Sequence, residues 1–504
     1  MVRRDVAVAV SITLRGSVDV PMKGLRCSLQ RPWPPTVEHP SSLPSVAEKG
    51  HDAGAPPTPS RGPRSPLHYV KGGKVIDPEI GFTSDVIRDP ARFVGRTDLL
   101  ADCLRALNSP LGLIAIYGKR GVGKSSLLRQ IQQMALGDYE LAMRAGLKSL
   151  IPARPRKYLT VFYTCDSMIK SGTDLLSRLC NDQNTEDGLL RLVPDDGKEL
   201  VEFTRSSEVE SGADLKVVKW GAKGVESSRY ARVIPDDIVQ TFRNYLSAIV
   251  THQVSSRMKR DGLLILLDEF DVIENKAGLG SLIKSLSSDT VKFGICGVAR
   301  DLNGLVKDHA SVERLLEEGA LHVRPMPTEE AREILYTANV RFDTSLNLHA
   351  DVIERIVSLS EGYPYLIQMF GKACVNVANK LQVTNVDKSI LDRVLSDIRS
   401  GAAFPTLEAQ YQRAVGNSEH RQLLLHLLAE QPEDNAKFND EVGKVVLKSV
   451  RADAQGLGVE FVDQQVPRLV DSNYGPVLVR LEDRPGIYEF ANPVFRVYVK
   501  LRKI

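Results

Sequence analysis

The sequence predicts an α/β fold in which a mainly parallel β-sheet, flanked by helices, is followed by a helical region and a C-terminal winged helix. Two observations predict this architecture. Short apolar runs alternate with helical patterns from Phe93 onward, whereas the patterns after Pro327 are helical only. The chain then ends with two helical patterns and two strand-like runs around the turn EDRPG, and helices followed by a β-hairpin are typical of a winged helix.

Four apolar runs predict the strands of the sheet, at residues 113–117, 158–163, 263–267 and 291–298. A helix is expected at 125–134, directly after the first strand. The interval between Lys124 and Asp268 is far longer than one crossover connection needs. We therefore expect an insertion at about residues 181–233, followed by an amphipathic helix at 235–254.

Changes in composition and pattern predict the domain boundaries. Residues 1–74 include Pro-, Ser- and Gly-rich stretches without an apolar period, and such a segment cannot bury enough surface to offset the entropy lost on ordering. We therefore expect a disordered tail at 1–74 and an α/β core at 75–326. A helical lid is expected at 327–405 and a winged-helix domain at 406–504.

The composition excludes several classes of protein. A chain of 504 residues is too long for one compact core, and its 42% hydrophobic and 26% charged residues exclude a fibrous or wholly disordered protein. The formal net charge of +3 is too small to identify a nucleic-acid binder by itself, so any such contact would have to be local.

The cysteines and the hydropathy pattern indicate a cytoplasmic protein. The six cysteines are widely spaced and include no C-x-x-C pair, so we expect them to be reduced and mostly buried, as in a reducing compartment. No stretch approaches the roughly 20 apolar residues that a membrane-spanning helix needs. We therefore expect no membrane contact.

A glycine-rich loop follows the first predicted strand and opens the helix after it. Its residues match the P-loop pattern G-x-x-x-x-G-K-S: Gly118, Lys119, Arg120, Gly121, Val122, Gly123, Lys124 and Ser125, with Ser126 next in the helix. Glycines let backbone N–H groups converge on phosphates, and the helix N-terminus adds a positive end. We expect the loop to bind ATP or ADP, with Lys124 at the β- and γ-phosphates and the Ser125 hydroxyl on Mg²⁺.

The run LLILLDEFD supplies the acidic residues that such a loop requires. Its apolar residues end in Asp268 and Glu269 at the carboxyl end of a strand, the edge at which α/β sheets bind ligands. We expect Asp268 to hold Mg²⁺ through water and Glu269 to orient and deprotonate the attacking water. A solvated acidic strand end is the alternative. Asp271 is expected to be structural, capping the segment that follows.

Together these motifs resemble the STAND and AAA-related ATPases, including the archaeal-type and initiator-like groups, from about residue 82 to the C-terminus. FVGR at 93–96 resembles the box that opens their nucleotide domain, which implies that Val94, Gly95 and Arg96 line the adenine site. GYP at 362–364 resembles the G-x-P motif of their helical lid, which implies that Pro364 contacts the nucleotide. The tail YEFANPVFRVYVKL is similar to the end of their winged-helix domain.

Two arginines are candidate contacts of the γ-phosphate. GVAR at 297–300 resembles the strand-four arginine of the STAND class, so we expect Arg300 to sense the γ-phosphate within one subunit. Arg314, in DHASVERLL, is expected to reach the phosphate of a neighbouring subunit. The alternatives are a plain surface arginine for Arg300 and a helix-surface ion pair with Glu313 or Glu317 for Arg314.

Two classes of function follow from the resemblance. Ordinary AAA+ motors and initiators carry a lid arginine near the GYP position, and EGYPYLIQMFGK contains none, which favours a slow ATPase that acts as a nucleotide-gated switch and self-assembles with ATP. The alternative is a DNA-binding ATPase of the initiator or transposition type. DNA is less favoured because GVEFVDQQVPRLVDSN is nearly neutral, carries only Arg468 and is interrupted by Pro467. A degenerate scaffold without hydrolysis is the third hypothesis.

Overall fold

The computed structural model describes most of the chain beyond residue 74. The described ranges are 75–110, 112–181, 189–192, 238–257, 259–299, 302–306, 319–430, 438–439, 460–480 and 487–502. The predicted tail at 1–74 and nearly all of the predicted insertion at 181–233 lie outside them.

A parallel five-stranded sheet forms the centre of the α/β core. Its strands are β1 (Leu113–Gly118), β2 (Tyr158–Thr164), β3 (Gly262–Asp268), β4 (Val291–Val298) and β5 (Ala320–His322), in the spatial order β2-β3-β4-β1-β5. The four predicted strands are confirmed. β5 was not predicted, because three residues at the edge of a sheet do not make a recognisable apolar run.

Helices cover both faces of the sheet. They are α1 (Thr97–Asn108), α2 (Lys124–Leu136), α3 (Glu140–Arg144), α4 (Gly172–Asn181), α5 (Ile238–Ala248), α6 (Leu279–Leu286) and α7 (Leu302–Val306), and α5 continues as a π-helix over Ile249–Arg257. Side chains of β3 alternate between the two faces: Leu264 and Leu266 join the core with α1 and α2, whereas Leu263 and Ile265 join the core with α4 and α5. Burial on both faces explains the continuous apolar run of this strand.

Four helices and a short strand pair follow the sheet, as predicted from the helical pattern after Pro327. They are α8 (Thr328–Phe342), α9 (Ala350–Ser360), α10 (Pro364–Leu381) and α11 (Lys388–Arg399), with β6 (Asn347–Leu348) paired to β7 (Asn385–Val386). Pro364 opens α10 at its first position, where its missing N–H costs no hydrogen bond.

The C-terminal part combines helices with a three-stranded antiparallel sheet. Its elements are α12 (Pro405–Val415), α13 (Glu419–Ala429), β8 (Phe438–Asn439), α14 (Glu460–Val470), β9 (Leu478–Arg480), β10 (Ile487–Phe490) and α15 (Pro493–Leu501). The strand order is β8-β10-β9, and the predicted hairpin is confirmed. The interruption predicted at Pro467 is wrong. α14 continues to Val470 because Val466 and Leu469 are buried in the core, and this packing overrides the low helix propensity of proline.

An N-terminal segment, residues 75–88, links the helical lid to the α/β core; we call it the strap. The side-chain amide of Asn379 on α10 bonds both the N–H and the carbonyl of Ile76. The Thr83 N–H donates to Gln368 Oε1 on the same helix at 2.9 Å. Further along, the Ile87 N–H donates to Ser126 Oγ on α2 at 3.0 Å. The strap therefore touches α10 and α2, both of which lie against the P-loop.

The described cysteines are buried, as the sequence predicted. Cys103, Cys165, Cys180, Cys296 and Cys374 are buried free thiols. Within the same described ranges, the helices are too short or too polar to cross a membrane.

A buried lysine lies near the N-terminal ends of the strands, whereas the P-loop follows the C-terminal end of β1. Lys292, at the start of β4, is 0% exposed, and its Nζ donates to the carbonyls of Ala106 (3.2 Å) and Ser109 (2.5 Å) at the end of α1. Burial is the main cause that lowers the pKa of Lys292 to about 8.

We predict a pH-dependent difference in stability between the wild type and Lys292→Met. Between pH 8 and about 10.4, the unfolded chain holds a proton on Lys292 that the folded chain releases, so this group makes the free energy of unfolding rise with pH. Methionine removes that contribution. Urea denaturation across this window should show the wild type gaining stability relative to the variant. A difference that does not change with pH would contradict the lowered pKa.

Candidate functional site

The backbone of the P-loop adopts angles that favour glycine. Gly118, Gly121 and Gly123 have φ of 149°, 82° and 95°. A Cβ on Gly118 would lie 2.2 Å from the Val323 carbonyl oxygen, so no other residue fits there. Gly123 leads directly into α2, and the first residues of that helix, Lys124, Ser125 and Ser126, line the cavity.

Lys124 is the buried cation of the loop. Its Nζ donates to the Lys119 carbonyl at 2.9 Å, which folds the side chain back over the loop. Burial is the main cause that lowers the pKa of Lys124, and Asp268 and Asp271 oppose that effect. The ammonium therefore lies where a phosphate oxyanion would compensate its lost hydration.

The loop and the third strand meet at a pair of oxygen ligands. Ser125 Oγ donates to Asp268 Oδ1 at 3.1 Å, and the Glu269 N–H donates to the same oxygen at 3.0 Å. Asp268 is only 5% exposed and ends β3. A hydroxyl beside a carboxylate, open to a cavity, is the kind of hard oxygen donor set that suits Mg²⁺. The two residues predicted to hold the metal are thus adjacent.

Glu269 follows β3 in a strained backbone conformation. Its φ of 52° places a residue with a side chain in the left-handed region, which costs about 1–2 kcal/mol. Burial, followed by the negative charges of Asp268 and Asp271, raises the pKa of its carboxyl group. Strain and a raised pKa are both typical of a carboxylate that works as a general base.

Asp271 has a structural role, as expected, but a different one from capping. Its Oδ1 accepts from the Val298 N–H at 2.7 Å, and its carbonyl accepts from Lys276 Nζ at 2.9 Å. It therefore secures the end of β4 beside the P-loop strand. The sequence alone does not reveal this contact, because the partner lies on another strand.

The candidate adenine residues lie on the opposite side of the loop. Arg96 is 8% exposed, and its guanidinium donates to the carbonyls of Val122 (2.7 Å) and Arg324 (2.6 Å). Burial lowers the pKa of Arg96 to about 10. Val94 and Arg96 line the cavity, whereas Gly95 packs against Glu330 and Met326. Arg96 thus supports the loop by holding its backbone.

One cavity of about 410 Å³ joins these groups. The P-loop, including Arg120, lines it together with Asp268 and Glu269. The strap, the lid and the FVGR box also line it, with Thr83, Val86, Ile87, Phe93, Val94, Ile334, Pro364, Tyr365 and Gln368. The strap residues were not predicted, since GFTSDVI carries neither an apolar period nor a motif.

The parallel pairing places β4 next to the P-loop strand, as the sequence analysis expected. Val298 lies opposite Gly118 in the register of β4 and β1. Arg300 and Arg314, the two candidate γ-phosphate contacts, lie outside the described residues.

Two features decide the fold. A glycine-rich loop lies between a buried strand and a helix, and its serine bonds an aspartate at the end of another strand of the same parallel sheet. The α/β core is a P-loop NTPase fold. The predicted fold class is therefore confirmed, including the helices after the sheet and the C-terminal winged-helix elements.

Comparison with known proteins gives structural neighbours only. The chain matches no protein-family model and no curated protein. A Walker-type ATPase of Pyrococcus abyssi, PABY2304, is 13% identical with a TM-score of 0.41, covering 81% of this chain and 96% of its own. Cdc6p from Pyrobaculum aerophilum is 13% identical with a TM-score of 0.36, and the match covers 85% of this chain and 98% of Cdc6p. The Aeropyrum pernix ORC1 protein, solved in complex with DNA, is 14% identical with a TM-score of 0.37, covering 83% and 93%.

At identities of 13% to 14% and TM-scores below 0.5, these similarities carry no argument about this chain. The activity of this P-loop protein has to be argued from its own residues.

We predict that Arg96→Met weakens nucleotide binding through the loop and not through the base. Loss of charged hydrogen bonds to the loop should lower the affinity for ATP by about tenfold or more. The affinity for tripolyphosphate, measured by competition with ATP, should fall by the same factor. Arg105→Met, which removes an exposed arginine of α1, is the control and should change neither affinity. A loss for ATP with unchanged tripolyphosphate binding would instead assign Arg96 to the adenine.

Proposed function

We propose that the chain binds Mg·ATP and hydrolyses it slowly, as a nucleotide-gated switch. The observation that carries this proposal is the contact between Ser125 and Asp268, with Glu269 next to it and Lys124 in the same cavity. A degenerate scaffold would be expected to lack at least one of these groups.

Each residue has a distinct task in this proposal. Lys124 and the N–H groups of the loop bind the β- and γ-phosphates. Ser125 and Asp268 would hold Mg²⁺, which would neutralise negative charge on the phosphates when bound. Glu269 orients a water molecule towards the γ-phosphorus and accepts its proton, while the bond from phosphorus to the β,γ-bridging oxygen breaks and ADP leaves.

The base would contact the apolar lining of the cavity. Ile87, Val94 and Ile334 provide apolar surface, whereas Lys124, Asp268 and Glu269 provide charged groups for the phosphates and the metal. This combination suits a nucleotide, which is apolar at its base and charged at its phosphates. Pro364 lines the cavity about 4.0 Å from the position of a Cβ on Gly123, which supports its proposed contact with the nucleotide.

The proposed role as a nucleotide-gated switch rests on contacts that the lid and the C-terminal part make with the P-loop. A Cβ on Gly121 would lie 3.0 Å from Val494 Cγ2 on α15 and 3.5 Å from Tyr365 Cβ on α10. The Tyr365 N–H also points at the Gly121 carbonyl, at 3.4 Å. The last helix and the lid therefore both touch the loop that would bind the phosphates.

Glu361 joins the same helix to the lid. Arg496 of α15 is 1% exposed, and its Nη1 donates to Glu361 Oε2 at 2.7 Å while its Nε donates to the Ala429 carbonyl at 3.2 Å. Lys500, one turn later, pairs with the other oxygen of Glu361. Glu361 has a φ of 49° and immediately precedes GYP, so a partly buried ion pair holds the segment Glu361–Pro364 beside the cavity.

We include the two arginines outside the described residues in the proposal. Arg300 would contact the γ-phosphate from the strand next to β1 and make hydrogen bonds that ADP does not offer. Such a difference between ATP and ADP is what a ligand needs to shift a conformational equilibrium. Arg314 would act between subunits in an ATP-dependent self-assembly.

Two substitutions test the catalytic assignment. Lys124→Ala should weaken ATP binding and abolish turnover, because it removes the charge that holds the phosphates. Glu269→Gln should keep ATP binding while kcat falls by about 10²-fold or more, because only the proton acceptor is lost. Calorimetry and phosphate release measure the two effects. Unchanged ATP affinity in Lys124→Ala, or unchanged turnover in Glu269→Gln, would remove that residue from the mechanism.

The ion pair at Glu361 allows a matched test of the switch. Glu361→Gln keeps the shape of the side chain but weakens its bonds to Arg496 and Lys500, so a fluorescent ADP analogue should dissociate about tenfold faster.

Glu408→Gln is the control, because Glu408 pairs with Arg502 and Tyr498, near the end of α15, and no bond from its side chain to residues 361–364 is found in the described part of the chain. Its ADP dissociation rate should equal that of the wild type. Equal acceleration in both variants would point to general loosening of the C-terminal part, and no acceleration in Glu361→Gln would remove the ion pair from the switch.

A further inference from the structure

Three arginines meet at the turn Pro90–Arg92, just outside the nucleotide cavity; we call Arg92, Arg144 and Arg341 the arginine cluster. Arg144 Nη2 donates to the Pro90 carbonyl and, at 3.1 Å, to the Phe93 carbonyl. Arg341 Nη2 donates to the Ala91 carbonyl at 2.6 Å. Arg92 itself donates to the Glu79 carbonyl at 2.7 Å. Backbone carbonyls therefore hold all three guanidinium groups, those of Arg144 and Arg341 at the turn and that of Arg92 at the strap.

The three side chains come from separate parts of the fold. Arg144 ends α3 in the α/β core, Arg341 lies in the last turn of α8 in the lid, and Arg92 ends the turn itself. Arg92 also lines the nucleotide cavity. The cluster thus lies at the junction of core and lid, beside the nucleotide cavity.

No carboxylate among the described residues forms an ion pair with any member of the cluster. Other arginines of the lid and core do form such pairs: Arg332, also on α8, bonds Glu354 and Glu329. Glu79, whose carboxylate lies near Arg92, forms its ion pair with Lys372. After burial, the positive charge of Arg92 is the next cause that lowers the pKa of Arg341, with Arg144 adding to it and Asp89 opposing it. The like charges therefore repel one another in the folded chain.

Each guanidinium uses one nitrogen for these carbonyls, although it carries five N–H donors. We propose that the arginine cluster binds a compact, multiply charged phosphate group, such as a phosphate monoester or a pyrophosphate. Planar guanidinium forks suit phosphate oxygens, and a multivalent anion would remove the repulsion within the cluster.

The arrangement favours a compact anion over a nucleic-acid backbone. The carbonyls that position Arg144 and Arg341 all belong to residues 90–93, so these two cations surround one point and do not form a row. A nucleic-acid strand carries one charge per phosphate, spread along its length, and is bound by basic side chains that follow it.

Binding at the cluster would hold the lid against the core. The anion would bridge Arg341 of the lid and Arg144 of the core next to Arg92, which lines the nucleotide cavity. A phosphate compound at this place would therefore oppose lid opening and slow the exchange of nucleotide. This regulation is additional to the proposed ATPase activity, but anion binding itself does not require that activity.

The test uses the full chain carrying Lys124→Ala, so that the P-loop does not compete for the anion. Sodium pyrophosphate is titrated into it by calorimetry in EDTA. We expect one site, with affinity that falls as sodium chloride is added. Arg144→Gln and Arg341→Gln, each added to this background, should weaken binding by about tenfold or more. Arg332→Gln, on the same helix as Arg341, is the matched control and should leave the affinity unchanged.

Three outcomes would overturn the proposal. They are no binding to the Lys124→Ala chain, an equal loss in Arg332→Gln, and duplex DNA binding through Arg144 and Arg341 that pyrophosphate does not displace. Thermal unfolding of each variant identifies any that is misfolded, and two independent glutamine variants keep the test decisive if one fails to fold. If wild-type chain failed to bind ATP, the proposed function would fall while the pyrophosphate titration would still report on the cluster.

Discussion

The backbone of the P-loop is the constraint on which the rest of this structure depends. Gly118, Gly121 and Gly123 hold it in conformations that favour glycine, and the absence of side chains admits close neighbours on more than one side. The Val323 carbonyl lies against Gly118, while Val494 and Tyr365 lie against Gly121. The lack of side chains that would let phosphates approach the N–H groups therefore also lets the lid and the last helix pack against the loop.

This geometry links distant parts of the chain by direct contacts. Glu361 is held by Arg496 and Lys500 of the last helix and stands directly before the lid segment that lines the cavity. The strap adds a second link, because it bonds α10 at Asn379 and α2 at Ser126. A ligand that displaces the loop or the lid by a small distance would therefore act on packed contacts, which do not deform continuously.

Sequence patterns predicted the parts of the site that local chemistry specifies. The glycines, Lys124 and the run ending in Asp268 can be identified because an apolar strand, a glycine-rich loop and a helix succeed one another within a short stretch. The strap, the brace from Arg96 to Val122 and the pairing of Glu361 with Arg496 were not predicted. Each joins residues far apart in sequence, by 303 positions for Ile76 and Asn379, and tertiary packing of this kind leaves no periodic trace.

The central claim, that the nucleotide site and the last helix are coupled through the P-loop, is tested most directly by hydrogen exchange. Amide exchange in Pro493–Leu501 should be compared in the full chain saturated with Mg·ADP and with a non-hydrolysable ATP analogue, at a concentration too low for self-assembly. The account predicts strong protection of this helix with ADP and faster exchange with the ATP analogue. Equal protection with both nucleotides, when both are shown to be bound, would contradict it.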